Sequence, residues 1–205
     1  MSKQAFKPGN MLYPLPAVMV SCQYKDAFDP ECKKPELQGK PNIITVAWVG
    51  TVCTNPPMLS ISVRPERYSY HIIEQSGEFV VNLTTEALVR AADFCGVRSG
   101  RDIDKFREMH LTAQPSREIS APGIAESPVN IECRVQQILP LGSHSMILAN
   151  VAAVTVEDSY MDETGKFHLN DTGLISYSHG AYFLLGKQMG TFGYSVSKKS
   201  ARKNQ

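Results

Sequence analysis

Between residues 129 and 136 the chain reads VNIECRVQ, a strict alternation. Val129, Ile131, Cys133 and Val135 face one way, and Asn130, Glu132, Arg134 and Gln136 face the other. A period of two marks a strand half buried in a sheet, because successive side chains of extended backbone point to opposite faces. Such a strand needs partners for its main-chain N–H and C=O groups. The sequence supplies one at once: turn residues at 140–144 lead into the mainly apolar run 146–156, which predicts an antiparallel hairpin.

Further strand-like runs lie at 14–22, 42–49, 58–63 and 78–83, with short ones at 167–169, 174–177 and 181–185. A small-residue loop and a proline turn are expected between 50 and 57. Three short helices are predicted: one from an N-cap at Ser69 to Gly77, one over 86–95 stopped by Gly96, and one over 102–109. Residues 112–128 read as irregular. Strands outnumber helices without regular βαβ alternation. The pattern therefore predicts a mainly β fold, an antiparallel barrel with a few helices at its ends. No repeat or linker divides residues 1–205, so a single domain is expected. It carries a polar N-terminal arm (1–13), a long loop insertion (23–40) and a basic C-terminal tail (198–205), the last read as a solvated terminus.

Several function classes drop out. A net charge of +1 argues against a nucleic-acid binder. No apolar run approaches the roughly 20 residues of a membrane-spanning helix, and the N-terminus lacks the apolar core of a signal peptide. Five cysteines without CxxC spacing form neither a disulfide framework nor a zinc site, and the histidines are scattered, so no metal is expected. A reduced, cytoplasmic protein is the simplest reading. Rossmann, phosphate-loop, zinc-protease and nucleophile-elbow motifs are all missing.

The stretch 42–82 is where chemistry concentrates. Its second strand runs into Arg64, Arg67, Tyr68 and Ser69 at the start of a predicted helix. Guanidiniums, a hydroxyl and free helix N–H groups are what a bound phosphate requires. The alternative is a surface arginine pair on a loop, with Ser69 only capping the helix.

Seven motifs in order, PNIITVAWVG, NPPMLSISVRPERYSY, GEFVVNL, DFCGVRSGRDIDKF, LGSHSMILANV, GLISYSHGAYFLLG and GTFGYSVSKK, resemble the flavin reductase-like, FMN-binding split-barrel family, which includes flavoredoxins. The resemblance implies an antiparallel Greek-key split β-barrel, a homodimer, and FMN as cofactor. It places Thr45, Trp48, Gly50 and Thr51 near the ring and phosphate, with Ser62, Val63, Arg64, Arg67, Tyr68 and Ser69 at the next strand end. Asn82 and Leu83 would lie at a flavin edge and Lys105 near the phosphate. His144 would lie on the side of an NADH or NADPH donor. Each has a plainer role: Trp48, Tyr177 and Tyr182 serve equally as core aromatics, Asn82 as a turn cap, Lys105 as a solvated helix charge, and His144 as a turn residue. Cys53, close to the implied ring site, reads as a small apolar filler. The resemblance leaves two redox functions open, NAD(P)H-dependent flavin reduction and electron transfer to a redox protein partner. A non-redox ligand-binding barrel is a third.

Overall fold

A computed structural model describes residues 1–26, 29–32 and 34–196. The basic tail at 198–205 lies outside the described residues. The first strands are β1 (Leu15–Pro16), β2 (Val18–Cys22), β3 (Asn42–Val46), β4 (Val49–Thr54) and β5 (Pro57–Val63). After helix α1 (Tyr68–Ser76) come β6 (Glu78–Leu83), α2 (Val89–Val97) and α3 (Lys105–Glu108). The remaining strands are β7 (Ala113–Gln114), β8 (Gly123–Ile124), β9 (Val129–Pro140), β10 (Ser145–Val156), β11 (Ile175–Ser178) and β12 (Ala181–Leu184).

Seven strands form one sheet in the order β3-β2-β6-β9-β10-β5-β4, and every neighbouring pair is antiparallel. Its two outer strands, β3 and β4, are consecutive in the chain and joined only by Ala47 and Trp48. A flat sheet would put them six strand spacings apart, near 30 Å at ~4.8 Å each, which two residues cannot bridge. The sheet must therefore curl until its edges meet, giving a barrel split along the β3–β4 seam. Smaller sheets, β1-β11-β12 and β7-β8, lie beside it.

The alternating pattern of β2 explains the core. Val18, Val20 and Cys22 join the barrel cluster with Ile61, Phe79, Val81, Cys133 and Ile147. Met19 points the other way, into a second cluster with Ile43, Ala92, Cys95 and Phe106 under α2 and α3. With both faces covered, all five residues of β2 are buried. Ile72 and Ile73 of α1 enter the barrel cluster with no exposure. Truncating either to Ala would cost roughly 2–5 kcal/mol.

The structure corrects several sequence expectations. The small-residue loop after residue 49 is strand β4, an edge whose Gly50, Thr51, Val52 and Thr54 are exposed, so no buried alternation announces it. The first strand is broken into β1 and β2, which pair in different sheets. Ser69 is not the cap of α1; Arg67 takes that position, and Ser69 is buried one residue inside the helix. Gly77 does end α1, with φ at 67°. Gly96 does not stop α2 but lies within it, where a Cβ would come 3.4 Å from Thr45 Cβ. The irregular stretch 112–128 contains the short β7–β8 pair.

Candidate functional site

The end of β5 and the start of α1 lie against the turn after α2. Together they enclose a cleft of about 340 Å³ whose lining includes Arg64, Arg67, Ser69, Arg98, Arg101 and Lys105. A second cleft of about 470 Å³ is lined by Thr45, Trp48, Ser62, Val63, His144 and Tyr182, among others. Ile44, Arg64, Arg67 and Gly96 line both, so the two form one groove. One end is cationic and the other is walled by flat side chains.

The cationic end is built from the inside. Asn42 Nδ2 donates to Ser69 Oγ at 2.8 Å, which leaves the serine its own hydrogen to donate. Gly100 is required beside Asn42, because a Cβ there would overlap the asparagine side-chain oxygen. Lys105 is 3% exposed; its Nζ donates to Ile43 O at 2.5 Å and Cys95 O at 2.9 Å. Two of its three N–H groups thus tie α3 to β3 and to the C-terminal turn of α2. Burial lowers its pKa from 10.5 to about 8, countered in part by nearby Cys95 and Cys22. Arg67 and Arg98 make no ion pair among the described residues. The N-terminus of α1 adds its N–H dipoles to the same space. An anion with several acceptor oxygens fits this donor set.

At the other end the Trp48 ring lies 4.3 Å from that of His144. Trp48 is 37% exposed, which removes it from the core and leaves its ring for the groove. Thr45 Oγ1 donates to Ala92 O and so holds β3 against α2. Tyr13, Tyr177 and Tyr182 line the same cleft; Tyr177 lies 6.3 Å from Tyr13 and 5.6 Å from Tyr182. Tyr182 Oη donates to Asp93 Oδ1 at 3.3 Å.

Of the sequence-derived candidates, Thr45, Trp48, Ser62, Val63, Arg64, Arg67, Tyr68, Ser69, Lys105 and His144 all line the groove. Gly50 and Thr51 lie on exposed β4 outside its lining. Asn82, expected at a flavin edge, is fully buried elsewhere. Its Nδ2 donates to Met19 O and Ser21 Oγ, and its Oδ1 accepts from Ile124 N and Asn130 Nδ2. That amide ties four strands together, and Leu83 packs against the barrel cluster. Arg98 and Arg101 were not singled out in the sequence. Two arginines flanking Ser99 and Gly100 just after a helix were the available signal. The insertion at 23–40 packs at the cationic end: Lys34 Nζ donates to Asp102 O at 2.5 Å and Lys40 Nζ lies 2.9 Å from Asp104 Oδ2.

Residues 11–182 match the flavin reductase like domain. The chain belongs to this family. Within reach of it, an uncharacterized protein of Archaeoglobus fulgidus is 31% identical over 144 residues, covering 70% of this chain and 80% of that one. The fold is similar to flavoredoxin of Desulfovibrio vulgaris (Miyazaki F), with a TM-score of 0.83, 25% identity, and coverage of 96% of this chain and 100% of that chain. Flavoredoxin from Methanosarcina acetivorans is also similar, with a TM-score of 0.79, 25% identity and the same coverage. The antiparallel split barrel described above is the fold these proteins share.

Proposed function

We propose that the protein binds FMN tightly in this groove and uses it for NADH- or NADPH-dependent flavin reduction. The observation that carries the reading is the single groove joining an Arg67–Ser69–Arg98–Lys105 anion end to the Trp48–His144 end through shared residues. A phosphorylated flavin has the same polarity, with a dianion at one tip and a flat ring at the other. Membership of the family and the likeness to flavoredoxins support it.

Bound FMN would supply hydride acceptance from a dihydronicotinamide and onward delivery of the electrons; the chain's residues supply position and electrostatics. Arg67, Arg98, Lys105 and Ser69 would anchor the phosphate by charge-assisted hydrogen bonds. Trp48 and the β3 backbone would orient the ring. His144, whose pKa burial and then Arg64 hold below 6.5, stays neutral near pH 7 and offers an uncharged polar edge on the open side. We place this activity in the cytoplasm, in one split-barrel domain that pairs with a second copy. Exposed Phe183, Leu184, Leu185 and Phe192 near the C-terminus, with Met11 and Leu12 in the N-terminal arm, offer apolar surface for that pairing. No helix among the described residues is long and apolar enough to cross a membrane.

The likeness to two flavoredoxins favours a second reading, electron transfer to a redox protein partner. A visible spectrum followed by anaerobic NADH or NADPH separates them. Flavin bands that bleach within a few turnovers support the reductase. Bands that stay oxidised until a protein reductant is added support the carrier. A colourless protein that takes up no added FMN overturns both.

A further inference from the structure

Beside the unpaired cations, the anion end carries two arginines whose charge is already matched. Arg64 Nη1 lies 3.5 Å from Glu66 Oε1, and Arg101 Nη2 lies 3.1 Å from Glu31 Oε2. Arg101 also donates through Nη1 to Glu66 O at 3.5 Å, with its guanidinium 5.4 Å from the centre of the Tyr68 ring. Tyr68 Oη donates to the buried carboxylate of Asp29, and Asp29 Oδ1 accepts the Glu31 N–H at 2.9 Å. The turn carrying Glu31 is therefore bolted to the start of α1. Pairing, not burial, separates the two sets: Arg64 and Arg101 are matched by the exposed carboxylates of Glu66 and Glu31, whereas exposed Arg67 and Arg98 make no ion pair among the described residues and Lys105 is buried.

We propose that the Glu31–Arg101 and Glu66–Arg64 pairs restrict the site to a flavin ending in a single phosphate and reject one extended by a diphosphate. The inference rests on the FMN reading above and names the residues that hold the site to that flavin. Arg67, Arg98 and Lys105, the cations without a carboxylate partner, match one dianion. A second phosphate, carrying adenosine, has to leave past two carboxylates and break the Arg101 ion pair. Like charges brought together at a rim are a repulsive specificity element. The segment at 23–40 thus acts on the phosphate end of the groove, through Asp29 and Glu31.

The test is a titration of flavin-stripped protein with riboflavin, FMN and FAD, followed by flavin fluorescence. Wild-type protein is expected to bind FMN at least about tenfold tighter than FAD, and the FMN-to-FAD ratio should shrink about three- to tenfold in Glu31→Lys and Glu66→Gln. Glu31→Gln, which keeps the shape and removes the charge, should move the ratio the same way by less; circular dichroism checks that each variant is folded. Equal wild-type affinities for FMN and FAD overturn the inference, as does a ratio unchanged in all three variants. Wild-type protein that binds none of the three flavins overturns the flavin reading itself, and the inference with it.

Discussion

The imidazole of His144 sits 4.3 Å from the indole of Trp48, the planes inclined at 49°, so the β9–β10 turn and the β3–β4 link meet at the ring end of the groove. Ser143 Oγ lies 2.9 Å from His144 Nδ1. The imidazolium is disfavoured first by burial and then by the Arg64 charge. The His144 ring should titrate below pH 6.5 in proton NMR. Arg64→Gln should move that midpoint upward, because removing a positive neighbour favours the charged form. A midpoint that does not move in the variant refutes the electrostatic coupling.

Arg67 makes no ion pair with the described residues and faces the groove. Arg67→Ala should weaken FMN binding by roughly 1.5–3 kcal/mol, about 10- to 100-fold, with the fold retained. Equilibrium dialysis against FMN measures it, and unchanged affinity removes Arg67 from the phosphate site.

Lys105 gives the groove a pH dependence whose sign follows from its pKa of about 8 against an ordinary 10.5. A phosphate bound beside it favours the ammonium, so binding takes up protons and FMN affinity should fall as pH rises through 8. In Lys105→Met that step should vanish. Stability runs the opposite way: between pH 8 and 10.5 the unfolded chain holds the proton that the folded chain has lost. The contribution of Lys105 to stability, wild type minus Lys105→Met, should rise across that window. Thermal melts of both proteins without ligand test this.

Asn82 satisfies Ile124 N–H and the Asn130 amide at distances of 2.9 and 2.8 Å in a fully buried position. Asn82→Ala strands both donors and should cost roughly 2–4 kcal/mol, lowering the melting temperature by about 5–10 °C. The FMN affinity of the folded fraction should not change. A loss of affinity without a loss of stability would return Asn82 to the site.

Burial raises the thiol pKa of Cys22 and Cys133 to about 12 and that of Cys95 to about 11. These thiols should resist iodoacetamide in the native protein at pH 8. Cys32 and Cys53, which are partly exposed, should be labelled first, as peptide mass mapping would show.

What was legible in the sequence depended on which physical signal each element carried. β9 announced itself by alternation and its return strand β10 by a mainly apolar run after turn residues, and α1 ended at Gly77, whose φ is positive. The grouping of Arg64, Arg67 and Ser69 on one cleft was readable from charge next to a helix start. β4 was hidden because an exposed edge strand of Gly and Thr has no buried face to pattern. Asn82 was misplaced because a strand-end amide looks the same whether it meets a ligand or, as here, bonds across β2, β8 and β9. Arg98 and Arg101 became candidates only when folding brought the turn after α2 against the end of β5.

The link of Ala47 and Trp48 joins the two edges of the seven-stranded sheet and supplies the groove with its indole. Adding one residue there would slide β4 by one position against β5 and exchange its two faces. The same insertion would carry Trp48 away from His144. Engineering that reshapes the groove is therefore best confined to the turn after α2 and the segment at 23–40, where side chains can be exchanged without reopening the seam.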